Sequence, residues 1–297
     1  MHTKNEFLII KRNKLRVSIL TILVFSFLLF GTSILAGLVG ALTGLGGGVV
    51  LIPVFVLLFH IDIHYAMGAS LISVIATSSG AASAYLKEGY TNLRIGMLLE
   101  VGAVIGALAG AILVAFISKT FIAILFAFVL FISAYLTFKR NEEIDIPTTS
   151  HPWANKLSLS STYPTHAGSQ SYSVQRVPQA LGLMTIAGGL SGLLGIGSGA
   201  IKVLAMDHMM RLPYKVATTT SNFIIGITAA VSVGVYFGHG YIDPGITFPV
   251  LIGVAIGALV GAKILLKVTS KRLRLFFSIV ICLLGFEMLY KALTGAI

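Results

Sequence analysis

A cluster of glycines set in apolar chain occurs twice, and the second copy follows the first at a fixed distance. Gly44-Leu45-Gly46-Gly47-Gly48 answers to Gly195-Ile196-Gly197-Ser198-Gly199, so the step from Gly44 to Gly195 is 151 residues. The same step carries Ala66 to Ala217, Ser70 to Ser221, Thr77 to Thr228, Tyr85 to Tyr236, Gly89-Tyr90 to Gly240-Tyr241 and Gly106-Ala107-Leu108 to Gly257-Ala258-Leu259. The chain is a duplicated unit. Two matching copies of long apolar segments interrupted by glycine imply a transporter built from two halves, with its site where the helices break.

Hydrophobic residues make up 56% of the chain and charged residues 10%, with a mean hydropathy of +0.95, a combination that excludes an ordinary soluble domain. A bilayer core takes roughly 20 apolar residues per helical span. Stretches 17–42, 66–86, 94–117, 120–138, 214–236, 246–267 and 272–293 reach that length. The expected fold is an all-α integral membrane protein, a polytopic helical bundle, because a β-barrel has no such continuous apolar runs. Two apolar pieces, 49–60 and 200–210, follow the glycine motifs directly and are too short to span easily.

The net charge of +11 does not point to nucleic acid, since Lys and Arg lie between apolar segments rather than on a basic domain face. Cys282, the only cysteine, excludes an internal disulfide and a multi-cysteine metal site. Residues 1–16 read as a basic cytoplasmic N-terminus before an uncleaved first span. The first transmembrane repeat is placed at 17–140 and the second at 179–297. Between them, 141–178 is rich in Ser, Thr and Pro and reads as a polar linker without chemistry.

If 37–60 and 188–211 are re-entrant hairpins, seven spans remain and the charges sort. One face collects the N-terminus, Lys87, Arg94, the linker, Arg211, Lys215 and Lys267 to Arg274; the other keeps His60, Asp62, His64, Lys119, His239, Asp243 and Lys291. The first face is then cytoplasmic. Three spans per repeat, an odd number, invert the second copy relative to the first. If both arms of each hairpin cross fully, ten spans result and the charge bias largely disappears.

In the inverted frame the glycine tips approach the membrane midplane from opposite sides, and short helices start after Gly48 and Gly199. Their N-termini aim unpaired amides, each end bearing about half a positive charge, at one region. This is an anion site. The backbone donors are expected from Gly44, Gly46, Gly47 and Gly48 in one half and Gly195, Gly197, Ser198 and Gly199 in the other. The four-spaced glycines Gly102, Gly106 and Gly110, with Gly253, Gly257 and Gly261, instead fit helix packing. They would serve packing inside each repeat or pairing of two copies as a homodimer equally well.

The run Ala36-Gly37…Gly44-Leu45-Gly46-Gly47-Gly48…Pro53, then Ala66-Met67-Gly68-Ala69-Ser70 and Gly102…Gly106…Gly110, resembles the sulfite exporter TauE/SafE family. Gly195-Ile196-Gly197-Ser198-Gly199 and Ala217-Thr218-Thr219-Thr220-Ser221-Asn222 repeat it, so the resemblance covers about 35–140 and 180–293. It implies a transporter of sulfur-containing anions such as sulfite, sulfonates or sulfoacetate, in the bacterial cytoplasmic membrane. Leu204 stands where the first copy has Pro53, and Lys202 stands opposite Leu51, so the two half-sites differ.

Hydroxyls supply hydrogen-bond donors to an anion without a permanent acid. Ser70 and Ser221 match across the repeat and open the helices after the glycine hairpins, and Asn222 lies beside Ser221. Ser70, Ser73 and Thr77 share one helix face, as do Thr218, Ser221 and Asn222. Lys202, in the first turn after Gly199, either strengthens anion binding or snorkels to an interface. Glu100 is the one acid well inside a span, suited to proton coupling or to holding a basic partner, with Arg94 two turns away. His60 and His64 lack a third well-placed ligand, so no metal site and no cofactor are expected.

The reading is a secondary transporter whose halves rock around a small anion, with no enzyme activity. There is no HExxH, no paired intramembrane aspartate and no GxSxG elbow, and Gly44–Gly48 lacks the Lys-Ser/Thr ending of a phosphate loop. A passive anion channel in the same frame, or a transporter of another small anion, is the alternative.

Overall fold

Inside a bilayer no water is available to the backbone, so apolar chain closes its hydrogen bonds internally as helix. A computed structural model of the protein, which describes residues 2–43, 46–87, 89–139, 150–165, 168–265 and 271–295, is built on that rule. The first half contains α1 (His2–Thr43), α2 (Gly48–Leu57), α3 (Ile63–Lys87), α4 (Leu93–Leu113) and α5 (Lys119–Lys139). Between the halves lie α6 (Pro152–Lys156) and an antiparallel hairpin of β1 (Ser161–Thr165) and β2 (Gly168–Tyr172). The second half contains α7 (Val177–Leu194), α8 (Gly199–Leu204) with a π turn at Ala205–Met209, α9 (Tyr214–Gly238), α10 (Pro244–Leu265) and α11 (Lys271–Leu293).

Among the described residues five helices are long and apolar enough to cross a membrane: Ile22–Leu42, Leu93–Phe116, Val177–Leu194, Tyr214–Gly238 and Pro244–Gly261. Helices α3, α5 and α11 occupy the other expected stretches. Large side chains such as Phe27, Phe116, Phe128 and Phe237 point outward, as a lipid-facing surface requires.

Element boundaries repeat with the sequence. Ile63 and Lys87 bound α3, and Tyr214 and Gly238, each 151 residues on, bound α9. The same step takes the end of α1 to the end of α7 and the start of α4 to the start of α10. The packing follows suit: α1 lies along α10 and α4 along α7, while α3 packs on α9 and α5 on α11. Exchanging the halves maps each of these pairs onto another or onto itself.

Glycine sets the distance of the two long pairs. A Cβ on Gly106 would fall 2.8 Å from the amide of Gly189, one on Gly188 2.7 Å from the carbonyl carbon of Ala103, and one on Gly257 2.9 Å from the amide of Leu38. The four-spaced glycines are therefore used inside the chain, across the two halves. Gly102 meets Leu181 and Gly110 meets Leu193, so α4 and α7 run in the same direction; Gly253 meets Phe30 and Gly261 meets Leu38, so α1 and α10 do too.

Two ends of the bundle can be distinguished by contact. At one, Asn92 Nδ2 donates to Leu159 O (2.9 Å) and Tyr172 Oη (2.7 Å), Arg94 Nη1 donates to Ser158 O (3.0 Å), and the Gln175 amide donates to Met210 O (3.2 Å). At the other, Lys119 pairs with Asp62, Lys291 Nζ donates to Leu57 O (3.1 Å), and Phe25 meets Phe59 at 5.7 Å. His60 (φ 53°) and Arg211 (φ 55°), again 151 residues apart, each turn the chain with left-handed backbone, one at each end.

Three expectations change. The span at 17–42 and the first arm of the 37–60 hairpin are one unbroken helix, and the second hairpin's first arm begins at Val177, well before 188. The apolar part of α1 enters at the end that holds His64, beside Phe59, whereas charge sorting places the N-terminus with the linker. The segment 150–176 is folded rather than a bare linker: Ala154, Leu159, Tyr172 and Val174 are buried with Val203, Met206 and Val216. Residues 141–149 lie outside those described.

Gly106→Ala is expected to destabilise the protein by about 1–3 kcal/mol, because backbone contact leaves no room for a methyl group. Gly182→Ala, with open space around it, is the control and should not destabilise it. Thermal unfolding in detergent reads both; equal losses would contradict the packing account.

Candidate functional site

The two glycine motifs meet in the interior. Gly46 lies against Val74 and the carbonyl of Ile196, and Gly48 against the carbonyl of Gly195 and the Cα of Ile196. Ser70, one face of α3 away, donates its hydroxyl to Gly195 O at 2.6 Å, so a helix of the first half clamps the break of the second. Gly46 (φ 81°), Gly195 (φ 69°) and Gly197 (φ 71°) hold left-handed backbone that glycine alone adopts readily. Ser198 adopts it without that freedom (φ 44°), and its hydroxyl donates to Ala187 O at 2.5 Å. Gly44 lies outside the described residues.

The first intrahelical bonds run from Val50 and Leu51 to Gly47 O, and from Ile201 and Lys202 to Ser198 O. Backbone amides at 48–49 and at 199–200 therefore precede the ladder, as at any helix start. These are the donors expected from Gly48 and Gly199, and Gly47 is the residue from which the first helix begins.

Hydroxyl donors are distributed differently from the expectation. The Ser70 proton goes to Gly195 O, that of Ser198 to Ala187 O, and that of Ser221 to Gly199 O over 3.4 Å. Among the buried donors without a hydrogen-bond partner within the described residues are Asn222 Nδ2, Thr218 Oγ1 and Ser191 Oγ. Asn222 and Thr218 share the face of α9 that also bears Ser221. Ser191, on α7, carried no sequence signal.

Lys202 and Glu100 come together although 102 residues separate them. Lys202 Nζ lies 3.3 Å from Glu100 Oε2, both side chains are buried, and Thr228 Oγ1 bridges the ammonium and the other carboxylate oxygen. Arg94 is not the partner, being engaged with Ser158. Thr228 went unassigned in the sequence although its match with Thr77 marks it.

At the end of the bundle that holds Asp62, the His64 ring stacks on Tyr241 at 4.6 Å, His239 stacks on the same ring at 5.7 Å, and Asp62 accepts from the His64 amide at 3.0 Å. At the other end the Lys215 ammonium sits 5.4 Å over the Tyr90 ring. Lys215 is the counterpart of His64, and Tyr90 that of Tyr241, so one contact recurs in both halves. Gly68 lets α3 touch the Tyr241 backbone; its counterpart Thr219 bonds instead to Lys215 O at 2.8 Å.

The fold makes the chain an all-α membrane protein, and its family, one of membrane transporters, follows from sequence comparison. The family model for the sulfite exporter TauE/SafE matches residues 29–288, and the chain belongs to that family. The probable membrane transporter protein YdhB of Bacillus subtilis is 32% identical over 77% of this chain and 86% of its own length. YunE of the same organism, also named a probable membrane transporter protein, is 29% identical over 88% of this chain and 96% of its own. A probable membrane transporter protein of Methanocaldococcus jannaschii is 24% identical over 88% of this chain and 94% of its own. No solved structure matches the chain significantly.

Partial burial pushes the Asp62 carboxyl up, but Lys119 and the His64 amide outweigh it and hold the group below the usual carboxylate range. A depressed folded value contributes stability above the unfolded value and loses it as pH falls through the folded one. Asp62→Asn should accordingly lower thermal stability at neutral pH, and the gap from the unsubstituted protein should close only below the ordinary carboxylate range. A gap independent of pH would show that the charge plays no part.

Proposed function

We propose that the protein is a secondary transporter of small sulfur-containing anions, of the sulfite, sulfonate or sulfoacetate type, in the bacterial cytoplasmic membrane. The observation that carries this is the meeting of two homologous glycine breaks in the interior of a helical bundle of this family. The anion is held between the breaks by backbone amides at 48–49 and 199–200, with Asn222 and Thr218 as side-chain donors. Ser70, Ser198 and Ser221 act on the site indirectly, by fixing the broken backbone. The repeats, 17–140 and 179–297, are inverted, and each opens with a hairpin that enters and leaves on one side.

Several contacts support the inversion. Homologous positions gather at opposite ends: His60, His64 and Tyr241 at one, Arg211, Lys215 and Tyr90 at the other. Alternating access then has homologous seals to open in turn. More of the Lys and Arg flank the linker end, which favours that end as cytoplasmic.

Uptake of radiolabelled sulfite into proteoliposomes tests this reading. Saturable uptake above empty vesicles is expected, and Asn222→Ala should raise the half-saturating concentration by about tenfold or more, the worth of one hydrogen bond to a charged group. Uptake no greater than that of empty vesicles would overturn the substrate class; an unchanged half-saturation would remove Asn222 from the site.

A further inference from the structure

We propose that Glu100 is the proton carrier of the transport cycle and Lys202 its anion-sensitive partner, so that one proton moves with each monovalent anion. This rests on the transporter reading above. Taking an ammonium and a carboxylate out of water is costly, and their mutual attraction offsets that only in part, so a buried pair is weak evidence for a role in stability. Here the molecule contains its own comparison. The positions 151 residues away from Lys202 and Glu100 are Leu51 and Leu251, while Thr228 corresponds to Thr77. Leu51 is fully buried, as Lys202 is. One half thus fills with leucine the place that Lys202 takes in the other, so the repeated backbone accommodates that place without a charge.

Placement supplies the chemistry. Lys202 lies three residues past Gly199, on the helix that leaves the second glycine break, and its ammonium is shared between Glu100 and Thr228. An anion drawn to Lys202 takes the place of the carboxylate. Glu100 is then a buried acid without its counterion, and it binds a proton from the side open to water, forming an O–H group that donates a hydrogen bond to Thr228 Oγ1. The interior is neutral in both states, with Lys⁺ and Glu⁻ when empty, and with Lys⁺, the anion and protonated Glu when loaded. A neutral interior can be re-exposed across the bilayer; a singly charged one is far more costly. Release on the other side restores the ion pair and returns the proton to water.

Other ionisable groups around the pair are few. Helix α7 has none, α9 has only Tyr214, Lys215 and Tyr236 near its ends, and α5 has Lys119, Tyr135 and Lys139. Arg94 opens α4 and is engaged with Ser158. The π turn after α8 adds the buried Asp207, which has interactions of its own, and the exposed His208.

The test uses the full chain in proteoliposomes with the membrane potential clamped at zero. Radiolabelled sulfite accumulation is compared at equal pH of about 6 and with the outside one unit more acid, where the anion on both sides is monovalent bisulfite, after subtraction of empty vesicles. One proton per anion gives an accumulation ratio of about tenfold for the unsubstituted protein. In Glu100→Gln the ratio should fall to about one, and in Glu100→Asp a response to the gradient should return. A purely structural role would lower both arms by one factor and leave the ratio standing, which would overturn the proposal. Should Glu100→Gln not fold, the double variant Glu100→Leu with Lys202→Leu, which adopts the first half's residues, decides: loss of the ratio supports the proposal, and its retention overturns it. Sulfite movement without any gradient response in the unsubstituted protein overturns the proposal and leaves the transporter reading; no sulfite movement at all overturns both.

Discussion

Backbone contact between helices at glycine is the interaction on which the rest of the molecule depends. In a bilayer, hydrophobic burial does not distinguish a neighbouring helix from lipid, so association depends on close approach and the dispersion it brings. Gly106 and Gly110 against Gly189, and Gly257 and Gly261 against Leu38, supply that approach. Because α4 belongs to the first half and α7 to the second, and α1 and α10 likewise, each half completes the other's packing. Neither half forms these contacts alone.

That exchange places the two glycine breaks side by side. A broken helix in an apolar interior needs partners for its free backbone groups, and here each break lies against the other. Ser70 and Ser198 tie the broken backbone down through the carbonyls of Gly195 and Ala187, and buried side-chain donors such as Asn222 and Thr218 have no partner among the described residues. The asymmetry between halves, leucine on one side and a Lys–Glu pair on the other, is superimposed on a backbone that repeats.

Much of this was legible in the sequence, because the 151-residue step fixes correspondences without any knowledge of contacts. It located the helices α3, α4, α9 and α10, the breaks and the glycines that pack them. It did not show that Glu100 and Lys202 meet, since a pair 102 residues apart leaves no periodic mark, and Arg94 offered a nearer partner. The hydroxyls of Ser70 and Ser221 were readable as donors, but whether a proton goes to a ligand or to a carbonyl depends on backbone positions that spacing does not encode. Strands β1 and β2 escaped notice because Ser, Thr and Pro dominate them, and their one buried residue, Tyr172, packs with residues far away in sequence.

The central claim is that duplication places homologous segments on opposite sides of the membrane. It is tested most directly by single cysteines at His60 and Arg211, which are exposed and one repeat step apart, in a chain whose only native cysteine is replaced by Cys282→Ser. An impermeant thiol reagent applied to intact cells should reach one of the two, and only membrane disruption should expose the other. Labelling of both from the same side would contradict the account.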